Sequence, residues 1–385
     1  MRLVRLEVNQ FRNHRHSAVE CSLNSNVFLG NNGEGKTNVL EAISFLCLTK
    51  SFYAASDVTA LQLGSEWFRV EGDMQSDEGV RYALRLTYDG VTGTKKMFIN
   101  NASVERLSSV VGEFPIVVLS PENSSITFGS PGDRRKFIDL VISQSSKSYF
   151  EDLLEYRKIL RQRNKILIDA KLARTDCSSL LQPWNESLVI RGSRIIHRRK
   201  TFVEEFVPIV RQHYAELARV DENPGIVYEA VPTISPETSE QTIADLFAEQ
   251  LQKQYQDERR AGSTLVGPHR DDLGFTINNL ELRKFASQGQ HKTFLITLKL
   301  AEFFYLKDRC RETPLLLLDD VFSELDEHRA RNLLQRASSL GQSFITSTDD
   351  RVFRESATVV YQRYSVHAGT VDHGETIEPQ NALAR

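Results

Sequence analysis

The sequence predicts an α/β fold that is interrupted by a long helical segment. Residues 3–48 show short strand-like runs followed by a glycine-rich turn and a helix. From about residue 131 the apolar positions instead recur every three or four residues, and after residue 289 helices and apolar strands alternate again. At 385 residues the chain is long enough for two domains, or for one large core with an insertion.

The N-terminal part is expected to contain short strands and one helix. Strands are predicted at 3–8, 19–23 and 27–29, and a helix from about Gly35 to Leu48. Strand-like alternation continues in "WFRVEGDM", "RYALRLTYDG" and "KKMFINNASV", and "FPIVVLSPEN" is typical of a buried strand that ends at a proline. These patterns favour a mixed α/β body.

The middle of the chain predicts a helical arm that projects from this body. Long helical patterns such as "SLVIRGSRIIHRRKTFVEEFVPIVRQHYAEL" are interrupted by "ENPGIVYEAVPTISPETSE", and a helix at about 243–260 completes the arm. The body then resumes after "GPHRDDLGFTINNLEL". We expect a helix at 289–308, a strand at 315–318, a helix at 327–339 and a strand at 343–346.

Composition narrows the functional classes. The hydrophobic fraction of 40% and the charged fraction of 26% are typical of a soluble globular protein. No apolar run reaches membrane-spanning length and the first residues alternate like a strand, so we expect a cytoplasmic protein. Four cysteines are present without a CxxC pair, which argues against a zinc site and against a disulfide framework.

Charge is distributed unevenly along the chain. The net charge is only −3, but residues 130–220 contain 18 Lys or Arg and 11 Asp or Glu. This basic block has a net charge of +7, against −10 for the rest of the chain. Its candidate nucleic-acid contacts form two clusters. The first cluster contains Arg157, Lys158, Arg161, Arg163 and Lys165, and the second contains Arg194, Arg198, Arg199 and Lys200.

These clusters have two interpretations. They contact DNA phosphates, or they form a solvated helix face in which the cations are balanced by Glu. Aromatic residues do not alternate with the cations, so contacts with the phosphate backbone are favoured over base stacking.

The stretch "LGNNGEGKTNVLEAI" predicts a phosphate-binding loop. Gly30, Gly35, Lys36 and Thr37 have the G-x-x-x-x-G-K-[ST] spacing, directly after an apolar strand and at the start of a helix. Glycines allow successive backbone N–H groups to converge on phosphate oxygens. Lys36 is then expected to reach the β and γ phosphates, and the Thr37 hydroxyl to bind Mg²⁺.

A second stretch, "TPLLLLDDVFSELDEHR", predicts the metal side of the same site. Four consecutive leucines are typical of a buried parallel strand, and ligands collect at the carboxyl ends of such strands. Asp319 is expected to hold the Mg²⁺ shell, and Asp320 to orient or deprotonate the attacking water. Taken alone, the two acids would favour a simple strand cap, and it is their combination with the phosphate-binding loop that favours the metal site.

The turn "ASQGQHKTF" precedes a long apolar helix. One interpretation is that Ser287 caps this helix. The other is that the helix N-terminus, the Ser287 hydroxyl and the Gly289 N–H contact the γ-phosphate bound by a second subunit. Both can hold, because a cap becomes a phosphate ligand when nucleotide and partner arrive.

The combination of these motifs resembles the ABC-type ATPase heads of the SMC and DNA-repair class. In "LEVNQFRNH", "LSPENSSITFGSPGDRRKFID", "VGPHRDDL" and "ASQGQHKTFLITLKLAEF" the chain is similar to the RecF family of recombination mediators over essentially its whole length. The resemblance implies a P-loop ATPase head with a mixed sheet, a RecA-like core and an antiparallel β subdomain. The two halves of this head would be 1–128 and 261–385, and the inserted helical arm 129–260.

The resemblance also implies roles for particular residues. The nucleotide-binding Walker A loop would contain Gly30, Asn31, Asn32, Gly33, Glu34, Gly35, Lys36 and Thr37. The Walker B pair would be Asp319 and Asp320, with Lys36 as a further catalytic residue and with Thr37 and Asp319 at the metal. The signature acting on a partner subunit would be Ser287, Gln288, Gly289 and Gln290, and the D-loop Ser323, Glu324, Leu325 and Asp326.

Some positions depart from the wider ABC pattern. The residue after the Walker B Asp is usually Glu and here is Asp320, and the strand ending "QSFITSTDD" has Ser347 or Thr348 where many ABC proteins have His. Glu122 is the suspected counterpart of the Q-loop residue. Arg12 is expected either to reach the nucleotide phosphates or to be an ordinary loop arginine. His269, Asp271 and Asp272 are interpreted as a structural or interface turn rather than a metal site.

The function implied by the resemblance is an ATP-dependent DNA-binding protein of recombinational repair and replication. Such a protein dimerises on binding ATP, binds DNA near single-strand gaps, helps to load RecA with RecO and RecR, and supports the SOS response. Slow, DNA-dependent ATP hydrolysis would release it. Alternatives are a nucleotide-dependent DNA scaffold with negligible hydrolysis, or a cassette of another ABC subfamily. A transporter cassette has no use for a basic arm, and a nuclease would need further acids.

Overall fold

The fold is given by a computed structural model that describes residues 1–54, 56–218, 222–325, 327–354 and 359–378. Its strands, in chain order, are β1 Arg2–Phe11, β2 His14–Glu20, β3 Ser25–Leu29, β4 Trp67–Gln75, β5 Arg81–Asp89, β6 Thr94–Ile99, β7 Ala102–Ser103, β8 Ile116–Leu119, β9 Pro224–Glu229, β10 Asp272–Ile277, β11 Leu280–Glu281, β12 Leu315–Asp319, β13 Ser343–Ser347, β14 Tyr361–His367 and β15 Thr370–Ile377. Its α-helices are α1 Lys36–Leu48, α2 Ser124–Phe128, α3 Pro131–Ser145, α4 Lys147–Ala173, α5 Ser178–Ala218, α6 Glu240–Ala261, α7 Leu282–Phe285, α8 Gln288–Cys310, α9 Glu327–Leu340 and α10 Arg351–Arg354.

The chain divides into two compact units. The first unit contains Met1–Asn123 and Glu302–Arg385, and the second contains Ser124–Ala301. The expected arm of 129–260 lies within the second unit. That unit also takes residues 261–301, which the sequence assigned to the body, because β10 pairs with β9 of the arm rather than with a strand of the body.

The first unit is built from two six-stranded sheets. One is antiparallel, with the strand order β2-β1-β4-β5-β6-β7. The other has the order β15-β14-β3-β13-β12-β8, in which β14 to β8 run parallel and β15 is antiparallel at one edge. The mixed sheet and the antiparallel sheet expected from the sequence are both present.

Helix α1 packs against strands of both sheets, among them β1, β4, β12 and β13. Nearly all of its side chains are buried, from Val39 to Leu48, which explains why it is apolar on all sides. The helix begins at the glycine-rich loop after β3, so the core packing of α1 fixes the position of that loop.

The predicted strand at 19–23 was misplaced by several residues. The strand ends at Glu20. In the turn that follows, the backbone of Ser22 makes hydrogen bonds with the Asn26 side chain instead of with a neighbouring strand. Asn26 Oδ1 accepts a hydrogen bond from the Ser22 N–H at 2.7 Å, and Asn26 Nδ2 donates to the Ser22 carbonyl at 3.0 Å.

The second unit combines long helices with a small sheet. Helices α4, α5 and α6 pack against one another around a buried cluster of Leu167, Ala170, Cys177 and Leu181, and α3 packs against α4 and α5. The segment that interrupts the helical pattern forms β9, which pairs with β10 in the antiparallel order β11-β10-β9. Sequence periodicity missed this pairing because its two strands are more than forty residues apart.

Candidate nucleotide-binding site

The loop between β3 and α1 has a backbone that requires glycine. Gly33 and Gly35 have φ values of 84° and 108°, in the left-handed region that other residues rarely adopt. A Cβ on Gly35 would lie 2.4 Å from Asn13 Oδ1, far inside van der Waals contact. The glycine spacing predicted from sequence therefore corresponds to a backbone and packing requirement.

Two neighbouring segments hold this loop in shape. Asn13 Nδ2 donates to the Glu34 carbonyl at 2.9 Å, and His14 Nε2 donates to the Gly35 carbonyl at 3.0 Å. On the other side, the turn between β14 and β15 contributes the Gly369 N–H, which donates to the Glu34 carbonyl at 2.9 Å. The loop is thus pre-organised. The sequence predicted a role for Arg12 in the segment 12–14 but none for Asn13 or His14, which hold the loop.

Lys36 and the helix N-terminus make the loop an anion site. Lys36 Nζ donates to the carbonyls of Gly30 and Asn31, both at 2.8 Å, so the amine lies over the loop. Burial lowers the pKa of Lys36, and the carboxylates of Asp320, Asp319 and Glu34 oppose that shift. Gly35 offers no side-chain cap to α1, and the Asn38 N–H of the first turn donates to the Gly35 carbonyl at 3.1 Å. The positive end of the helix and the Lys36 amine, which has a third hydrogen to donate, together favour an anion at this loop.

Asp319 lies beside Thr37, as the sequence predicted. Asp319 Oδ1 accepts hydrogen bonds from the Thr37 hydroxyl at 2.8 Å and from the Thr346 hydroxyl at 2.7 Å. Burial raises the pKa of Asp319, and the charges of Glu122 and Asp320 raise it further. A hydroxyl and a carboxylate are oxygen ligands of the kind that Mg²⁺ prefers, and the Thr37 oxygen keeps its lone pairs while it donates to Asp319. These two residues therefore fit the expected metal.

Asp320 has an unusual backbone and an unpaired carboxylate oxygen. Its φ is 47°, and its N–H donates to the Thr346 hydroxyl at 2.8 Å. Asp320 Oδ1 is buried without a hydrogen-bond partner among the described residues. A buried acceptor in this state is expected at functional sites, where it is ready to accept a hydrogen bond from a reactant.

Arg12 is bound to a buried carboxylate. Its guanidinium donates to both Glu41 oxygens at 2.7 and 2.6 Å, and to the Thr59 carbonyl at 2.6 Å. Glu41 is only 1% exposed. This geometry gives Arg12 a structural role in the first unit, and contact with nucleotide phosphates would require the pair with Glu41 to open.

The signature turn caps its own helix. The Gln290 N–H donates to Ser287 Oγ at 3.2 Å, and the Ser287 N–H donates to Gln290 Oε1 at 2.7 Å, which together form a capping box. Ser287 and Gln288 are exposed, whereas Gly289 and Gln290 are half-buried. The capping interpretation is thus confirmed, and the exposed Ser287 stays available to a second chain.

The D-loop segment follows β12. Ser323 is exposed and its hydroxyl donates to the Asp320 carbonyl at 2.8 Å, while the Leu325 N–H donates to the Phe322 carbonyl at 3.3 Å. Asp326, the last residue predicted for this loop, lies outside the described residues.

Comparisons with known proteins agree with this site. An AAA domain model matches residues 5–340. The DNA replication and repair protein RecF of Chloroherpeton thalassium is 46% identical over 358 residues, which cover 92% of this chain and 97% of that protein. The chain belongs to the RecF family. The RecF of Salinibacter ruber is 41% identical over 346 residues, which cover 89% of this chain and 84% of that protein.

Solved structures support the same family. A structure of the recombination mediator protein RecF with ATP, in the RecFOR pathway, has a TM-score of 0.89 at 32% identity and covers 97% of both chains. An SMC head bound to the C-terminal winged-helix domain of ScpA has a TM-score of 0.54 at 13% identity, which shows a shared fold. The expected fold class, an ABC-type P-loop ATPase head, is therefore confirmed.

For two residues of this RecF-family chain, Arg163 and Arg199, the predicted contact with DNA is wrong. Arg163 is 0% exposed and its Nη2 lies 2.6 Å from Glu258 Oε2, a residue that is also 0% exposed. Arg199 is 2% exposed and pairs with Asp139 and Asp271 at 2.8 and 3.2 Å. Neither guanidinium can reach a DNA phosphate, because both are enclosed in the second unit.

A sequence signal for this burial was present. On α4 the buried residues Tyr149, Leu153 and Tyr156 are followed at helical spacing by Arg163 and Leu167. Arg199 occupies the corresponding apolar face of α5, among its buried residues. A cation within an apolar stripe indicates a buried ion pair rather than a binding surface.

The other candidate cations differ in exposure. Arg157, Lys158, Arg161 and Arg194 are exposed, and Arg198 and Lys200 are half-buried. Lys158 pairs with Glu155 at 2.7 Å, and Lys200 donates to the carbonyls of Pro236 and Thr238. Arg157 lies 3.4 Å from Asp139 and Arg194 lies 3.7 Å from Asp152, so exposed members of both clusters are also paired with acids. DNA binding by these residues stays a prediction.

The positions named for the Q-loop and H-loop also have defined surroundings. Glu122 is exposed after β8 and its charge raises the pKa of Asp319, so the two carboxylates lie within electrostatic range. Ser347 donates to the Asp349 carbonyl at 2.7 Å and Thr348 is exposed. The residue of this strand that contacts the Walker B pair is Thr346, which sequence reasoning missed.

The turn that contains His269, Asp271 and Asp272 has a structural environment. Asp272 accepts two hydrogen bonds of 2.7 Å from Arg134, and Asp271 pairs with Arg199. His269 Nδ1 lies 2.7 Å from the Tyr156 hydroxyl. Each side chain therefore has its own protein partner.

Two negative findings concern the described part of the chain alone. Within it, no helix combines the length and apolar character needed to cross a membrane. In the same residues, no cluster of three or more His, Cys, Asp or Glu side chains is placed to hold a metal ion.

Proposed function

We propose that this chain is an ATP-dependent DNA-binding protein of recombinational repair and replication. It dimerises when it binds ATP, binds DNA near single-strand gaps, and helps to load RecA together with RecO and RecR. Slow, DNA-dependent ATP hydrolysis releases the protein from DNA. The protein acts in the cytoplasm and supports the SOS response. The observation that supports this best is the contact between Thr37 and Asp319 beside a pre-organised phosphate loop.

The nucleotide site follows from the groups that converge there. The N–H groups of the loop and the Lys36 amine would bind the β and γ phosphates, and Thr37 and Asp319 would hold Mg²⁺. The metal, when bound, would neutralise charge on the phosphates. Asp320 would orient the attacking water through its buried oxygen, which has no partner among the described residues. A solved RecF structure that contains ATP supports this assignment.

Dimerisation would complete the site. The exposed Ser287 hydroxyl and the N-terminus of α8 form an anion-binding group that lies in the second unit, apart in sequence from the P-loop. In the proposed dimer, this group contacts the γ-phosphate held by the partner subunit. Closure would then depend on ATP, because ADP lacks that phosphate.

DNA binding would use the exposed cations of α4 and α5. Arg157, Lys158, Arg161 and Arg194 are exposed on these two helices, and each phosphate contact adds a salt-dependent contribution to affinity. We expect recognition of the phosphate backbone rather than of base sequence.

Two substitutions test the shared site. Lys36→Met should abolish ATP binding and dimerisation together, since it removes the phosphate-binding amine. Ser287→Arg should keep ATP binding and abolish the dimer, because a long cation would stand where the partner's site closes. A Ser287→Arg protein that still dimerises with ATP would contradict the shared site.

The effect of ATP hydrolysis on the lifetime of the dimer distinguishes the proposed switch from a scaffold with negligible turnover. The shorter Asp320, in place of the usual Glu, is the observation that favours slow turnover. Asp320→Asn should lengthen the lifetime of the ATP-bound dimer, measured by subunit exchange after ADP is added in excess. An unchanged lifetime would favour the scaffold.

A further inference from the structure

Thr346 occupies a position between the two acids of the Walker B pair. It lies on β13, directly opposite Asp319 in the parallel pairing of β12 and β13, and its side chain is fully buried. Its hydroxyl donates to Asp319 Oδ1 at 2.7 Å and accepts from the Asp320 N–H at 2.8 Å. One hydroxyl therefore uses its donor and an acceptor lone pair on two consecutive residues.

The bond to Asp320 holds a backbone that would otherwise relax. With φ at 47°, Asp320 is in the left-handed region, which a surrounding structure must enforce. The N–H that points to Thr346 is the one that sets this peptide plane. The same residue has a buried carboxylate oxygen with no hydrogen-bond partner among the described residues.

The bond to Asp319 fixes the other acid from a second side. Asp319 Oδ1 accepts one hydrogen bond from the Thr37 hydroxyl of α1 and another from the Thr346 hydroxyl of β13. Two donors from different elements restrict the side-chain rotamer more than either would alone. The contact with Thr37 is thereby kept in a single geometry.

We infer that Thr346 is a positioning residue for the proposed ATPase reaction, which sets the orientation of both Asp319 and Asp320 through its hydroxyl. The inference rests on the proposed function. Thr346 touches neither nucleotide nor water in this account, and it acts through the two acids. Groups that orient metal-binding and catalytic carboxylates typically change metal affinity or activity by about 10–100-fold when removed.

A matched control is present on the same strand. Ser343, also fully buried, donates its hydroxyl to Ser25 Oγ at 2.9 Å and so links β13 to β3. Ser343→Ala removes a buried hydrogen bond of the same strand without touching either acid. It reports the effect of such a loss on folding alone.

The experiment compares Thr346→Val, Thr346→Ser and Ser343→Ala in the full-length chain. Valine keeps the volume and removes the hydroxyl, whereas serine keeps the hydroxyl. We expect Thr346→Val to lower kcat for ATP by roughly 10–100-fold, with ATP affinity in EDTA near the wild-type value. Thr346→Ser should restore most of the lost kcat, and Ser343→Ala should leave kcat unchanged while the melting temperature falls.

Metal dependence gives a second readout that does not need turnover. The increase in ATP affinity produced by Mg²⁺, measured with a fluorescent ATP analogue, should shrink in Thr346→Val and be retained in Thr346→Ser. An unchanged kcat and an unchanged metal effect in Thr346→Val would overturn the inference. So would a serine variant as defective as the valine variant.

The outcomes also separate this inference from the proposed function. A wild-type chain that binds ATP, together with an unaffected Thr346→Val variant, would refute the positioning role alone. A wild-type chain that binds no ATP would refute the proposed function, and the inference with it.

Discussion

Replacing Arg163 by methionine removes a charge that the structure buries completely. The guanidinium donates from Nη2 to Glu258 Oε2 at 2.6 Å, from Nη1 to the Thr264 hydroxyl at 2.7 Å and from Nε to Asn185 Oδ1 at 2.8 Å. Methionine fills a similar volume but donates none of these bonds. Glu258, also 0% exposed, would keep a buried negative charge, and its remaining donor among the described residues would be the Leu265 N–H at 2.9 Å.

The expected cost is large for one residue. Removing one partner of a buried ion pair destabilises a protein by about 3–5 kcal/mol, because the other charge is left without compensation. For a unit of 150–250 residues, each kcal/mol lowers the melting temperature by about 2–4 °C, so we expect a fall of about 6–20 °C. The double variant with Glu258→Gln should recover most of this loss, since no buried charge is left unpaired.

Lys158→Met is the matched control on the same helix. Lys158 is 61% exposed and pairs with Glu155 at 2.7 Å, so its loss should cost no more than about 0.5 kcal/mol. Calorimetry of the three variants measures the stability differences. If Lys158 contacts a phosphate, its loss should reduce the slope of log K against log salt by about 0.9, whereas Arg163→Met should leave that slope unchanged.

The burial of Arg163 would be refuted if Arg163→Met and Lys158→Met melted at the same temperature and the Arg163 variant showed the reduced slope of log K against log salt. Arg163 would then be a surface DNA contact, as its place in the basic block first indicated.

Three further predictions concern other parts of the chain. Gly35→Ala should weaken ATP binding about tenfold or more, because a side chain is strained at a φ of 108° and its Cβ would displace the Asn13 side chain that holds the loop; wild-type affinity in an equilibrium titration would contradict the requirement for glycine at this position. Arg12→Gln should lower the free energy of unfolding in urea by about 3 kcal/mol, because the buried Glu41 carboxylate would lose its cationic partner and keep the neutral Ser51 hydroxyl; unchanged stability with weaker ATP binding would instead make Arg12 a nucleotide contact. Burial raises the pKa of Asp271 from 3.8 to about 6, so its contribution to stability is present below pH 3.8 and is lost as pH rises through 6. The stability of the wild type relative to Asp271→Asn should therefore fall by roughly 1–3 kcal/mol between pH 4 and pH 7, and a difference independent of pH would contradict this.

Local patterns were enough to predict the glycine-rich loop, the helix after it and the buried strand that ends at Asp319. The glycine spacing, Lys36 and Thr37 depend on consecutive residues, and helix α1 begins at Lys36, one residue from its predicted start. The four leucines before Asp319 form a buried strand, as their composition indicated. These features could be predicted because backbone geometry and burial leave few other residues that fit.

Non-local contacts could not be predicted in this way. Thr346 faces Asp319 because β12 and β13 pair in one particular parallel register, and no local pattern specifies that register. The same holds for the support that Asn13 and Gly369 give to the phosphate loop. The prediction that Arg163 and Arg199 contact DNA failed for a different reason. It followed from their positive charge, although their spacing along α4 and α5 places both on the buried faces of these helices.

Light scattering of the purified chain, with and without ATP and a gapped DNA duplex, tests the central proposal most directly. We predict a monomer without nucleotide, a dimer with ATP, and no dimer for Lys36→Met under any condition. A wild-type chain that stays monomeric with ATP and DNA would contradict the nucleotide-dependent dimer. Its signature turn would then be a helix cap alone.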